Sequence, residues 1–107
     1  MTYLLEYSRR AELHLKALSA RNRKIVMTAI DAQLSRQPTV ETRNRKKMRP
    51  NPLAPWELRV GNLRVYYDVV EGEAPAVQVL AVGRKRGNLV IIGGEIVELS
   101  DENNRTG

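Results

Sequence analysis

WELRVGNLRVYYD, residues 56–68, carries two apolar–polar alternations on either side of Gly61-Asn62. Alternation sends successive side chains to opposite faces of a strand, and a glycine–asparagine pair supplies a two-residue hairpin turn. Trp56, Leu58 and Val60 therefore share one face with Leu63, Val65, Tyr67 and Val69. Glu57, Arg59, Arg64, Tyr66 and Asp68 take the other. One face needs an apolar cover. The other gathers two guanidinium groups, a carboxylate and a phenol, a set suited to an anionic ligand or to a solvated sheet face with cross-strand Glu–Arg pairs.

The cover lies upstream. Tyr3 to Tyr7 is a short apolar strand, and Ser8 caps a helix in which Ala11, Leu15 and Leu18 recur at helical spacing. Ser19 caps a second helix, where Ile25, Ala29 and Ala32 run beside Val26, Ile30 and Leu34 as one broad stripe that ends before Pro38. Residues 43–49 are a dense basic run, and Pro50, Pro52 and Pro55 stiffen the loop after it. Downstream, Ala76 to Val82 forms another strand; Leu89 to Ile92 and Glu95 to Leu99 form a last hairpin about Gly93-Gly94. The expectation is an α+β domain: an N-terminal strand and a helical hairpin packed on one face of a small antiparallel sheet, with the opposite face open to solvent or a partner. It occupies residues 1–99, and the polar residues 100–107 make a tail.

At 107 residues the chain suits one domain with a modest core. Eighteen Lys and Arg against twelve Asp and Glu give a net charge of +6. The excess is uneven: residues 1–50 hold twelve basic and four acidic side chains, residues 51–107 six and eight. Such a balance fits a polyanionic partner such as nucleic acid, or a basic surface kept for solubility. With no cysteine, one histidine and no carboxylate cluster at ligand spacing, neither a metal site nor a cofactor is expected. No glycine-rich phosphate loop is present. The longest apolar runs are too short to span a membrane and no signal peptide opens the chain, so a soluble cytoplasmic protein is expected. A second basic group, Arg84-Lys85-Arg86, closes the strand after Ala76, and antiparallel pairing brings it near Arg64.

Taken together, a strand, a helical hairpin, a basic segment, then WELRVGNLRVYYDVV and VLAVGRKR resemble the RelE/ParE superfamily of bacterial toxins from toxin–antitoxin pairs. The resemblance spans about residues 3–90. It implies a small basic toxin neutralised by a cognate acidic antitoxin. Its leading implication is a ribosome-dependent mRNA endoribonuclease that blocks translation without a metal; the alternatives are a ParE-like inhibitor of DNA gyrase and an inactive relative that only binds nucleic acid or sequesters antitoxin. Carried over by position, Arg64 takes the place of the phosphate-binding arginine and Lys85 that of a second catalytic arginine, with Arg84 and Arg86 as substitutes in a shifted register. Glu57, Tyr66 or the Lys46/Lys47 pair are the acid–base candidates; Arg59, Arg84, Arg86, Lys46, Lys47 and Arg49 are RNA-binding candidates. The catalytic set departs from the RelE pattern. Glu57 and Pro55 stand where RelE has lysines, Ile91 stands near its late tyrosine, and no late histidine exists. His14 falls on the first helix, away from this face, in a packing or surface position.

Overall fold

The computed structural model describes residues 2–97, arranged as β1 (Leu4–Tyr7), α1 (Arg9–Ala17), α2 (Ala20–Leu34), β2 (Arg45–Lys47), β3 (Trp56–Val60), β4 (Leu63–Val70), β5 (Ala76–Arg86), β6 (Leu89–Ile92) and β7 (Glu95–Val97). The expected tail from Ser100 lies outside the described residues. Both helices begin as their serines dictate. Ser8 Oγ accepts from the Ala11 amide at 3.0 Å, and Ser19 Oγ accepts from the Asn22 amide at 3.1 Å. A cap of this kind is worth about 1 kcal/mol. Arg23 closes the other end of α1: its Nε donates to the Leu15 carbonyl and its Nη2 to those of Lys16 and Leu18. One side chain from the next helix thus gathers three carbonyls at the end of α1, of which Leu15 O also accepts from the Leu18 amide at 3.1 Å.

The sheet runs β2-β3-β4-β5-β6-β7 with antiparallel neighbours, and β1 pairs in parallel with β5. Strand β4 covers one edge of β5 from Ala76 to Arg84. The other edge is divided: β1 pairs with Ala76–Val79, and β6 pairs with Gly83–Arg86. The Gly61-Asn62 turn forms as expected, joining Val60 to Leu63 with φ positive at Gly61 alone. That is where a type II′ hairpin needs its glycine.

Helices and sheet enclose a core of Ala11, Leu15, Val26, Ile30 and Leu34 against Leu58, Leu63, Val65, Tyr67, Val77, Val79 and Val82. Trp56 stacks on Tyr67 with ring centroids 6.0 Å apart. The buried Tyr67 hydroxyl donates to the Pro38 carbonyl at 2.7 Å, and burial pushes its ionisation well above the ordinary tyrosine range. Arg45 is a buried cation of this layer. Its Nε donates to Val40 O and its Nη1 to both Gln33 O and Gln33 Oε1, so β2 is fastened to α2.

Several expectations need correction. The apolar stripe of α2 is narrower than its sequence allows, because Ile25 and Ala32 face outward while Val26, Ile30 and Leu34 are buried. The basic run 43–49 contains a strand, β2. Strand β5 continues through Arg86 rather than stopping at Val82. The sheet face away from the helices is not open, since Ala54, Tyr66, Ala81 and Ile92 form a second buried cluster there with Met48, Leu53, Leu80, Val90 and Val97 around it. The 48–55 loop and the β6–β7 hairpin supply that cover. Asn51 shapes the loop: its side-chain oxygen accepts from the Leu53 and Ala54 amides while its nitrogen donates to Arg49 O and Ala54 O.

Candidate functional site

Register assigns the faces. Arg59 pairs with Arg64, Glu57 with Tyr66, Lys46 with Glu57, and Arg64 with Gly83. Directly opposed residues project to the same side of a sheet, so these five side chains share the face away from the helices. Lys85 is two residues beyond Gly83 and joins them. The structure thus brings Lys46, Glu57, Arg59, Arg64, Tyr66 and Lys85 together.

It separates the others. Arg84 pairs with Leu63, a residue of the helix-side core, so Arg84 and Arg86 point to the opposite face. Because β5 runs through the whole cluster, alternation splits three consecutive cations between two faces. Lys47 pairs with Trp56 and sets its Nζ 5.6 Å from the Trp56 ring centroid, again on the helix side. Arg49 is exposed in the loop after β2. His14 is away from this face, half-buried, with Nδ1 accepting from the Val82 amide at 3.1 Å.

A chain of polar bonds crosses the site. Tyr66 Oη donates to Glu57 Oε2 at 3.1 Å, and Arg59 Nε donates to Glu57 Oε1 at 3.0 Å. Glu57 is 8% exposed and the Arg59 side chain 46%, so the carboxylate joins a buried phenol to a cation that reaches solvent. Tyr66 itself is fully buried. Burial first, then the charge and hydrogen bond of Glu57, push its ionisation far above the ordinary range. A phenol so placed stays protonated. It neither stacks on a base nor exchanges protons with a ligand, which corrects the expectation of an exposed catalytic tyrosine; what it does is hold Glu57.

Arg64 is 8% exposed, and its Nη1 donates to the carbonyls of Gly61 at 2.8 Å and Leu63 at 2.9 Å. The neighbouring Asn62 carbonyl accepts from the Lys85 amide at 2.7 Å. One tight turn therefore orients both the Arg64 guanidinium and the β5 segment that bears Lys85. Gly83, opposite Arg64, is required by space. A Cβ there would lie 2.5 Å from Ile91 O and 2.6 Å from Ile92 Cγ1. The commitment of Arg64 to the turn and the burial of Tyr66 were not visible in the alternation, which reports the face of a side chain but not what covers it.

An open groove of about 600 Å³ lies elsewhere, lined by Glu41, Lys47, Trp56, Asp68 and Glu71 among others. It includes none of Arg59, Arg64 or Lys85, and its mixed charge does not match an anionic ligand. Among the described residues no three His, Asp or Glu side chains are grouped as a metal-ligand set, and no helix is long and apolar enough to cross a membrane.

A comparison with solved structures places this architecture. A chain of the RelBE2 toxin–antitoxin complex from Mycobacterium tuberculosis superposes with a TM-score of 0.64 at 23% identity, covering 79% of this chain and 100% of that one. The chain has the RelE toxin fold. No protein-family model matches the sequence, and no curated protein matches it. The RelE fold is thus shared in backbone architecture rather than in close sequence, and the site must be read from its own side chains.

Proposed function

We propose that this chain is the toxin of a toxin–antitoxin pair and acts as a metal-independent endoribonuclease on mRNA in the ribosome. The observation that carries the reading is the Tyr66–Glu57–Arg59 chain beside Arg64, with Lys46 and Lys85 on the same face. The fold it shares with a chain of a toxin–antitoxin complex supports the same reading.

The chemistry follows from the residues. Glu57, fixed by a phenol that does not ionise, accepts the proton of a ribose 2′-hydroxyl. The 2′-oxygen attacks the adjacent phosphorus and forms a 2′,3′-cyclic phosphate, and the bond to the 5′-oxygen breaks. Arg59 and Arg64 offset the charge that builds on the phosphoryl oxygens, and the departing 5′-oxygen takes a proton from the Lys85 ammonium or from water. Arg64 binds and polarises while Glu57 moves the proton. Lys46 holds the flanking phosphate. The partner in the resting cell is a cognate acidic antitoxin, drawn to a +6 surface with a salt-dependent association rate.

Induced expression tests this. Protein synthesis stops and cuts map within codons of translated mRNA, and Arg64→Ala or Glu57→Gln abolishes both while the purified variants retain the circular dichroism of the parent. Unimpaired translation in cells making the parent protein rules the reading out.

One feature favours a second reading, inhibition of DNA gyrase: Arg64 is largely covered and bonded to backbone, which suits a face that docks against protein. Loss of supercoiling by purified gyrase, with translation intact, selects it.

A further inference from the structure

The divided edge of β5 leaves a gap. Strand β1 ends its pairing at Val79 and β6 begins at Gly83, so among the described residues Leu80 to Val82 have no strand partner on that side. Helix α1 and its capping serine fill the place of the missing strand with two side chains. Ser8 Oγ donates to the Leu80 carbonyl at 3.1 Å, and His14 Nδ1 accepts from the Val82 amide at 3.1 Å. On its other side the imidazole meets the β6–β7 turn: a Cβ on Gly93 would stand 3.3 Å from His14 Nε2 and 3.5 Å from Cδ2. The ring is thus wedged between β5 and the hairpin whose Val90, Ile92 and Val97 help cover Tyr66.

We propose that His14 is a proton-operated latch on the β6–β7 hairpin, closed when the ring is neutral and released when it is protonated. The reason is the polarity of one bond. The Val82 N–H needs an acceptor, and Nδ1 accepts only in the neutral tautomer that carries its proton on Nε2. Protonation puts a second N–H against the first, so the bond is lost and a part-buried amide is left without a partner. Among the described residues the hairpin's strand pairing is short, β6 pairing with β5 over four residues and β7 with β6 over three.

The groups around the ring set its response. Arg10, one turn back on α1, is the charged group that acts on it; β5 presents the Val82 amide and the β6–β7 turn presents Gly93, neither of which titrates. Burial and then Arg10 hold the ring below its ordinary value, in keeping with a latch that stays shut at neutral pH and opens on the acid side. What opens is the cover of Tyr66, beside Glu57. Acid therefore changes access to the candidate site whatever that site acts on.

Amide hydrogen exchange of the full chain, followed by NMR at pH 7.5 and pH 5 and corrected for intrinsic rates, is the test. Exchange at Val90, Ile92 and Ile96 accelerates at least tenfold at the lower pH, whereas Val65 and Tyr67 in β4 do not change. His14→Gln retains a side-chain oxygen that can accept from Val82 but cannot titrate, so its hairpin exchanges at one corrected rate at both values. His14→Ala, lacking the acceptor, exchanges fast at both. A pH-independent hairpin in the parent protein overturns the proposal, and so does an unchanged acid response in His14→Gln. A ¹⁵N shift showing Nδ1 protonated at pH 7.5 overturns it as well.

Discussion

Replacing Tyr66 with Phe separates two effects that the structure assigns to one hydroxyl. The first is a hydrogen bond from a fully buried phenol to a carboxylate that is itself 8% exposed. Bonds to charged acceptors contribute about 1.5–3 kcal/mol, and the carboxylate keeps only its half-exposed Arg59 partner, which adds less than about 1 kcal/mol. Tyr66→Phe is therefore less stable than the parent by about 2 kcal/mol at pH 7. The second effect has the opposite sign. Tyr66 and Tyr67 both ionise far above the ordinary value of 10.0 in the folded chain, through burial first. Above pH 10 unfolded tyrosines release protons that the folded ones retain, so unfolding gains and stability falls as pH rises. Each buried phenol contributes a slope of about 1.4 kcal/mol per pH unit. Removing Tyr66 removes one such slope, so the deficit of the variant shrinks by about 1.4 kcal/mol per unit above pH 10 and closes near pH 11–12. Urea unfolding followed by Trp56 fluorescence, at pH 7 to 11.5, measures both. Parallel stability curves for parent and variant over that whole range refute the assignment of a buried, protonated Tyr66.

Arg45→Ala leaves the carbonyls of Gln33 and Val40 and the Gln33 side chain without their donor, and costs about 3 kcal/mol in urea unfolding. Arg45→Lys does not restore it, because an ammonium cannot reach both partners as a guanidinium fork does. Gly83→Ala forces a Cβ into the Ile91 backbone and lowers stability by about 2 kcal/mol in the same assay. Arg64→Ala abolishes growth inhibition on induction, whereas Arg84→Ala, on the other face, keeps most of it; the reverse order contradicts the face assignment.

Local pattern determined a great deal here. The two helices start at the serines that their capping chemistry requires, and the 56–70 hairpin folds about Gly61-Asn62 in the register its alternation demands. Those features depend on residues close together in the chain, and their physics is complete within a turn or a strand pair. The α+β architecture follows from them, because a helical stripe and an apolar sheet face each need the other. The grouping of Glu57, Arg59, Arg64 and Tyr66 was legible for the same reason.

Burial and strand length were decided by tertiary structure. Tyr66 alternates as a solvent-facing residue, yet the 48–55 loop and the β6–β7 hairpin lie over it, and neither is adjacent to it in sequence. Arg84 and Arg86 left the site because β5 runs on past Val82 into a tight hairpin with β6, and that extension turned a presumed cluster into an alternating strand. His14 looked like a packing or surface residue on a helix; only the gap between β1 and β6 made it the acceptor that Val82 needs. Short-range pattern says which way a side chain points. What it then meets depends on segments whose arrival is a property of the whole fold.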